Sequence, residues 1–466
     1  MGAARRVRLP PRDRACPDRG PHPRDEHAHQ GRPGRDAPRD PAYPPRPRPL
    51  RGSGGVRGGG AHARGGRAAP ARAQDHRLHE PLSPVLRPPR GEHPEHAGGS
   101  GLGGRGRRGA GLRGVSIALV VALAACGGGG DQAAPTPTPT PGPPAASVPP
   151  LRDAAATAGK WVGAAIQSGF LASEPDYAAT LKRHFNYLTA EYQMKWDPIQ
   201  RQQGVFDFSG GDAIVGFAEA NGMRVKGHAL VWHGATPSWV GTLSPRDLGD
   251  ALDDHIRRVA GHYRGHVAAW DVVNEAVAED GSGLRDTVFL RGLGPSYLAD
   301  AFRAAREADP DALLFYNDYN SEGRGRKSDQ VYELLKGLLL RGAPIDGVGL
   351  QMHVDATSYP QPADIAANVQ RLVALGLLVN ISEMDVRIRT ASGTTDQRLD
   401  LQRRAYHDIV AVCAAEPRCH AVTFWGFTDK HSWIDSFFGP DDPLLFDDAY
   451  RAKPAFFGVQ EAFLGR

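Results

Sequence analysis

The first 114 residues contain no phenylalanine, asparagine, isoleucine, lysine or tryptophan. A segment with scarcely any large apolar side chain cannot bury enough surface to offset the entropy of ordering its backbone, which excludes a packed domain there. What fills it is Arg, Pro, Gly, Ala and His. In that stretch 24 arginines face 10 acidic residues, a charge of +14, so within a chain total of +4 the remainder carries −10. The basic part also lacks aromatic rhythm, with a lone Tyr43 and no lysine, which argues against a nucleic-acid arm. Cysteine is scarce as well, four in 466 residues, and no second Cys or His pair has metal-ligand spacing, so no metal site is expected.

Two readings fit residues 1–104. One is GC-rich sequence upstream of the true start, translated from a misplaced start codon. The other is a disordered basic extension. Residues 105–126 favour the first. Arg105, Arg107, Arg108 and Arg113 precede the apolar run 115–125, too short to span a bilayer comfortably, and then Cys126. A basic region, a short apolar core and small residues make a secretory signal, which belongs at an N-terminus. Leu123-Ala124-Ala125-Cys126 resembles the bacterial lipoprotein box, whose cysteine is lipidated. The expected location is therefore outside the cytoplasm, as a cell-envelope lipoprotein, periplasmic or surface, or as a secreted protein. Membrane contact is expected only through the lipid at Cys126. A peptide from residues 1–100 recovered from the native protein contradicts the misplaced start. Residues 127–150 open with four glycines and carry alternating Pro and Thr from Pro135 to Pro141, a semi-rigid tether.

Residues 151–466 are long enough for one large core. Eight strand-like apolar runs fall at 161–166, 187–193, 225–232, 268–274, 313–317, 347–352, 378–382 and 421–425. Stretches with helical spacing separate them, among them 248–259, 328–340, 364–375 and 397–412. Eightfold strand–helix alternation predicts a parallel (β/α)8 barrel of class α/β. An open doubly wound sheet is the alternative, but the Gly-rich phosphate loop it usually carries is missing. Cys413 and Cys419, close in an exported domain, fit a disulfide, with two unpaired thiols as the alternative.

The polar and aromatic residues of these runs cluster at their C-terminal ends, the face on which barrel active sites sit. Glu191, Lys195, His228, Trp232, Asn274, Glu275, Asn317, Tyr319, Gln351, His353, Glu383, Asp385 and Trp425 all lie there. Glu275 and Glu383 follow the fourth and seventh runs, opposite sides of a closed mouth. Two facing carboxyls are what glycoside hydrolysis uses, one as proton donor and one as nucleophile, their separation deciding retention or inversion. A chain Glu383–His353–Asp385 would keep Glu383 ionised, leaving Glu275 as acid and base. Lys195, His228, Asn274 and Gln351 suit sugar hydroxyls, and Trp232, Trp425 and Trp433 offer flat faces for pyranose rings.

Several segments in order resemble glycoside hydrolase family 10, the retaining endo-β-1,4-xylanases. They are residues 227–233 (GHALVWH), 270–275 (WDVVNE), 315–320 (FYNDYN), 349–353 (GLQMH), 381–385 (ISEMD) and 423–433 (TFWGFTDKHSW). The likeness covers essentially all of residues 155–466. It implies endo-hydrolysis of xylan or xylooligosaccharides with Glu275 as acid/base and Glu383 as nucleophile, without metal or organic cofactor. It also implies that Lys195, His228, Trp232, Asn274, Gln351, His353, Trp425 and Trp433 line the subsite before the cleaved bond. Glu191 resembles the contact to the next sugar out, Tyr319 lies toward the leaving group, and Asp385 supports His353. The pair Cys413 and Cys419 is similar to a disulfide before the last strand in some members. A monomer is expected. Rival readings are a retaining hydrolase of another β-1,4-glycan, such as cellulose, and a non-catalytic polysaccharide-binding lipoprotein.

One departure stands out. The family reads Glu-Asn before its Lys-Trp, whereas this chain reads Glu191-Tyr192-Gln193-Met194-Lys195-Trp196. With Tyr192 in place of a hydrogen-bonding amide, the outer subsite is expected to stack on the sugar instead of bonding to it. Tyr192→Asn is expected to tighten xylooligosaccharide binding by calorimetry, and equal or weaker binding refutes this.

Overall fold

The computed structural model describes residues 141–466. The basic segment, the signal and Cys126 lie outside the described residues. The strands are β1 (Trp161–Ile166), β2 (Tyr187–Ala190), β3 (Arg224–Val231), β4 (Ala269–Asn274), β5 (Leu313–Asp318), β6 (Gly347–Leu350), β7 (His353–Asp355), β8 (Leu378–Arg387) and β9 (Cys419–Phe424). All pair in parallel, β1 with both β2 and β9 and β6 with β8, which closes an eight-stave ring. The short β7 continues the β6 stave and pairs His353 with Asp385 on the outer half of β8. This is the (β/α)8 barrel the alternation predicts.

Two runs end three or more residues away from expectation. The second stops at Ala190, because residues 191–195 turn over the barrel mouth, where Lys195 N–H donates to the Tyr192 carbonyl at 3.0 Å. The seventh runs on to Arg387, because β7 supplies a partner for its outer half. The four helices named above are present at Pro245–His262, Arg326–Leu340, Pro362–Ala374 and Thr395–Ala415. Ser244 caps the first with Pro245 at its opening position, and Thr394 with Gln397 forms a capping box on the last.

Strand residues alternate between two burial layers, as the pleat requires. Val162, Ala164 and Ile166 join the large cluster with the helices, whereas Trp161 packs with Tyr187 and Ala421. On β5 the same split puts Leu314 and Tyr316 outward and leaves Leu313 and Phe315 packed with Ala269 and Leu378. Followed up the ring, the inner series turns polar. Leu313 and Phe315 lead to Asn317, Ala269 to Asp271, and Leu378 to Asn380 and Ser382, all buried. The closed ring thus has an apolar floor and a polar tier above it.

Cys413 and Cys419 form a disulfide between the last long helix and β9. Among the described residues no helix is long and apolar enough to cross a membrane.

A side chain presses closely on the backbone at Gly227, which pairs with Trp270 across β3 and β4. A Cβ there would stand 2.1 Å from the Trp270 ring, which is fully buried. Gly227→Ala should destabilise the fold by about 1–3 kcal/mol through overpacking, read as a lowered denaturant midpoint. An unchanged midpoint contradicts so rigid a contact.

Candidate active site

The polar tier is organised around side-chain amides. Asn317, at the end of β5, has no solvent exposure. Its Nδ2 donates to Asn274 Oδ1 at 2.9 Å and to Glu383 Oε1 at 2.6 Å, while its Oδ1 accepts from Ser382 Oγ at 2.6 Å. Gln351 Nε2 donates to Asn274 Oδ1 at 3.1 Å and to Glu275 Oε1 at 3.2 Å, and Asn274 Nδ2 reaches the same Glu275 oxygen at 3.2 Å. One amide lattice therefore carries both carboxyls. Glycine at 349 makes room for it, since a Cβ there would stand 2.1 Å from Asn317 Oδ1.

The two carboxyls sit in opposite electrostatic settings. Burial pushes Glu275 above the ordinary carboxyl range, and the charges of Asp318 and Glu383 add to the rise, opposed only in part by neutral donors such as Gln351. Burial also opposes ionisation of Glu383. There, however, the His228 ring, the hydrogen bond and charge of His353 and the ammonium of Lys226 outweigh it, and the carboxyl sits at about 2.

His353 is the standing cation of this group. Burial disfavours its charge, but Asp385 and Glu383 more than reverse that and lift the ring to about 10. His353 Nε2 lies 3.2 Å from Glu383 Oε2 and Nδ1 lies 2.8 Å from Asp385 Oδ2, which also accepts from Trp433 Nε1 at 2.8 Å. The ring of His228 is different. Burial drives it below its usual value despite Glu383 and Asp271, and its Nδ1 lies 2.9 Å from Asp271 Oδ2.

The remaining residues surround this pair. Lys195 Nζ stands 4.5 Å from the Trp232 ring and 5.7 Å from the Trp425 ring. Burial lowers its pKa, with Glu383, Glu191 and Glu275 opposing. Trp425 meets the His228 ring edge-on at 5.0 Å and that of His353 at 6.3 Å, and Trp433 meets His353 at 5.1 Å. Glu191 accepts from Gln167 Nε2 at 3.2 Å, and burial raises its pKa against the pull of Lys195. Tyr192 is 39% exposed, its hydroxyl donating to Asp197 at 3.2 Å. Tyr319 lies on the loop after β5, its hydroxyl accepting from Arg285 Nη2 at 3.0 Å.

Asn317 stood among the strand-end residues with no part of its own, yet it joins the two carboxyls. Asp271 and Lys226 were not singled out. Lys226 Nζ lies 2.7 Å from Asp271 Oδ2, a fully buried ion pair beneath Glu383. A lysine inside an apolar strand was the available signal, since burial of that charge demands a partner. His228, Asp271 and Glu383 bring potential ligand atoms within 4.8 Å of one another, but the Lys226 ammonium already neutralises Asp271 there.

Known proteins share this chain's sequence and fold. The model of glycosyl hydrolase family 10 matches residues 150–462. Endo-1,4-beta-xylanase B of Thermotoga neapolitana is 41% identical over 318 residues, 67% of this chain and 91% of that protein. An endo-1,4-beta-xylanase of Agaricus bisporus is 37% identical over 309 residues, 65% of this chain and 91% of that protein. The crystal structure of native xylanase 10B from Thermotoga maritima superposes with a TM-score of 0.65 at 40% identity, covering 67% of this chain and 98% of its own. Xylanase 10B from Thermotoga petrophila, solved in complex with xylobiose, gives the same TM-score and identity over 97% of its length. With the family model matched across the whole barrel, this chain belongs to glycosyl hydrolase family 10.

Proposed function

We propose that this protein cleaves internal β-1,4-xylosidic bonds of xylan with retention of configuration. Glu383 is the nucleophile and Glu275 the acid/base. The observation that carries the roles is the opposite bias of two carboxyls on one amide lattice, Glu383 held at about 2 and Glu275 raised.

In the first step Glu383 attacks the anomeric carbon while Glu275 gives its proton to the departing glycosidic oxygen. A glycosyl–enzyme ester forms and the shortened chain leaves. In the second step Glu275, now ionised, takes a proton from water, whose oxygen displaces Glu383 from the anomeric carbon. Both carboxyls return to their starting states. Trp425 and Trp433 flank the reacting sugar, with Lys195, His228, Asn274 and Gln351 bonding its hydroxyls and Trp232 beside them. Glu191 serves the next sugar out. Family membership and the xylanases similar to this chain support xylan over other β-1,4-glycans. The protein acts as a monomer outside the cytoplasm, tethered by lipid at Cys126 or released.

Proton NMR of xylan digestion tests the reaction. Early β-anomeric xylooligosaccharides are expected, and early α-anomers or cleavage of a soluble cellulose derivative alone overturn the reading. The pH profile tests the roles. Activity needs Glu383 ionised, so kcat/KM rises with pH through the Glu383 pKa. It needs Glu275 protonated, so kcat/KM falls as pH climbs through the Glu275 pKa. Removing the His353 cation lets the Glu383 pKa rise, so His353→Ala should move the acidic limb upward by at least about one pH unit. An unmoved acidic limb contradicts the assignment of His353.

A further inference from the structure

Glu275 departs from ordinary backbone geometry. Its φ is 58°, in the left-handed region that a residue with a side chain keeps only when its surroundings enforce it. Two hydrogen bonds hold the residue there. Its N–H donates to the Asn317 carbonyl at 2.8 Å, and its carbonyl accepts from Arg285 Nε at 3.0 Å.

Arg285 comes from the far arm of the loop after β4. Val277 and Leu284 pair across that loop, and Arg285 N–H donates to the Ala276 carbonyl at 2.7 Å. The guanidinium does more than reach Glu275. Its Nη2 donates to Tyr319 Oη at 3.0 Å and lies 3.8 Å from Glu279 Oε2. Tyr319 is fixed in turn by Lys327, whose Nζ stands 3.5 Å from the ring centroid and 3.0 Å from Asp318. The arginine side chain is only 20% exposed, so its fork is held by these partners and not free in water.

We propose that Arg285 is a positioning residue for the acid/base. Its rigid fork locks the backbone of Glu275 in the left-handed conformation that aims the carboxyl, and ties that conformation to the leaving-group side through the Tyr319 hydroxyl. The inference rests on Glu275 being the acid/base. It adds a specific consequence: loss of Arg285 should impair proton transfer while leaving attack by Glu383 nearly intact.

Leaving-group dependence reads this directly. A dinitrophenolate departs without a proton, whereas a sugar alkoxide requires one. For Arg285→Ala, kcat/KM on xylooligosaccharides should fall about 10- to 100-fold, the scale of a misplaced catalytic group. On dinitrophenyl β-xylobioside, kcat/KM should change by less than about threefold, with kcat and KM falling together because the second step still needs Glu275 as base. Arg285→Lys keeps the charge and loses the fork, and should show the same defect. Tyr319→Phe removes one oxygen and should show the pattern at smaller amplitude, which keeps the test open should Arg285→Ala fail to fold. Equal losses on both substrates, or none on either, overturn the proposal in favour of a loop staple. Glu275→Ala is measured beside them. If it shows leaving-group dependence and the Arg285 variants do not, only the positioning role falls. If Glu275→Ala shows none, the acid/base assignment falls and the positioning role with it.

Discussion

The Asn317 amide is the contact on which the site depends. It donates to Glu383 and to Asn274, which shares Gln351 with Glu275, so the position of one carboxyl constrains the other. Burying a carboxyl is costly unless its hydrogen-bonding capacity is met, and a charged one costs several kcal/mol more. The lattice meets that demand with neutral donors on both sides. It therefore leaves the protonation states to be set by what lies behind it.

Behind Glu383 lie His353, braced by Asp385 and Trp433, and the buried ion pair of Lys226 and Asp271. Beside Glu275 lie Asp318 and the charge of Glu383 itself. Ionising the first thus disfavours ionising the second, which is the division of labour a double displacement needs. The barrel makes this possible because its inner series turns from apolar to polar along β4, β5 and β8, so the charges gather at one end.

Much of this is legible in the sequence. The polar residues at strand ends pointed to one face of the barrel, where the structure gathers Glu275, Glu383, His353 and Asp385, because each strand end is a local signal. What the sequence hid is long-range. Asn317 meets Asn274 from 43 residues away and Glu383 from 66, and no local pattern distinguishes a bridging amide from a buried one. The Lys226–Asp271 pair likewise joins neighbouring strands. Arg285 lay in an irregular loop without periodicity, and the left-handed backbone of Glu275 has no glycine to announce it. Residues 191–193, where that turn begins, were read as strand, because no glycine or proline marks the point at which the backbone bends away from β2.

The central step is the covalent bond that Glu383 forms to the sugar. A fluorinated xylobioside with a good leaving group forms that bond readily and breaks it slowly, so the intermediate can be digested and its peptides weighed. A single xylobiosyl adduct on Glu383, absent from Glu383→Gln, is expected. An adduct on Glu275, or none under conditions where xylan is cleaved, contradicts it.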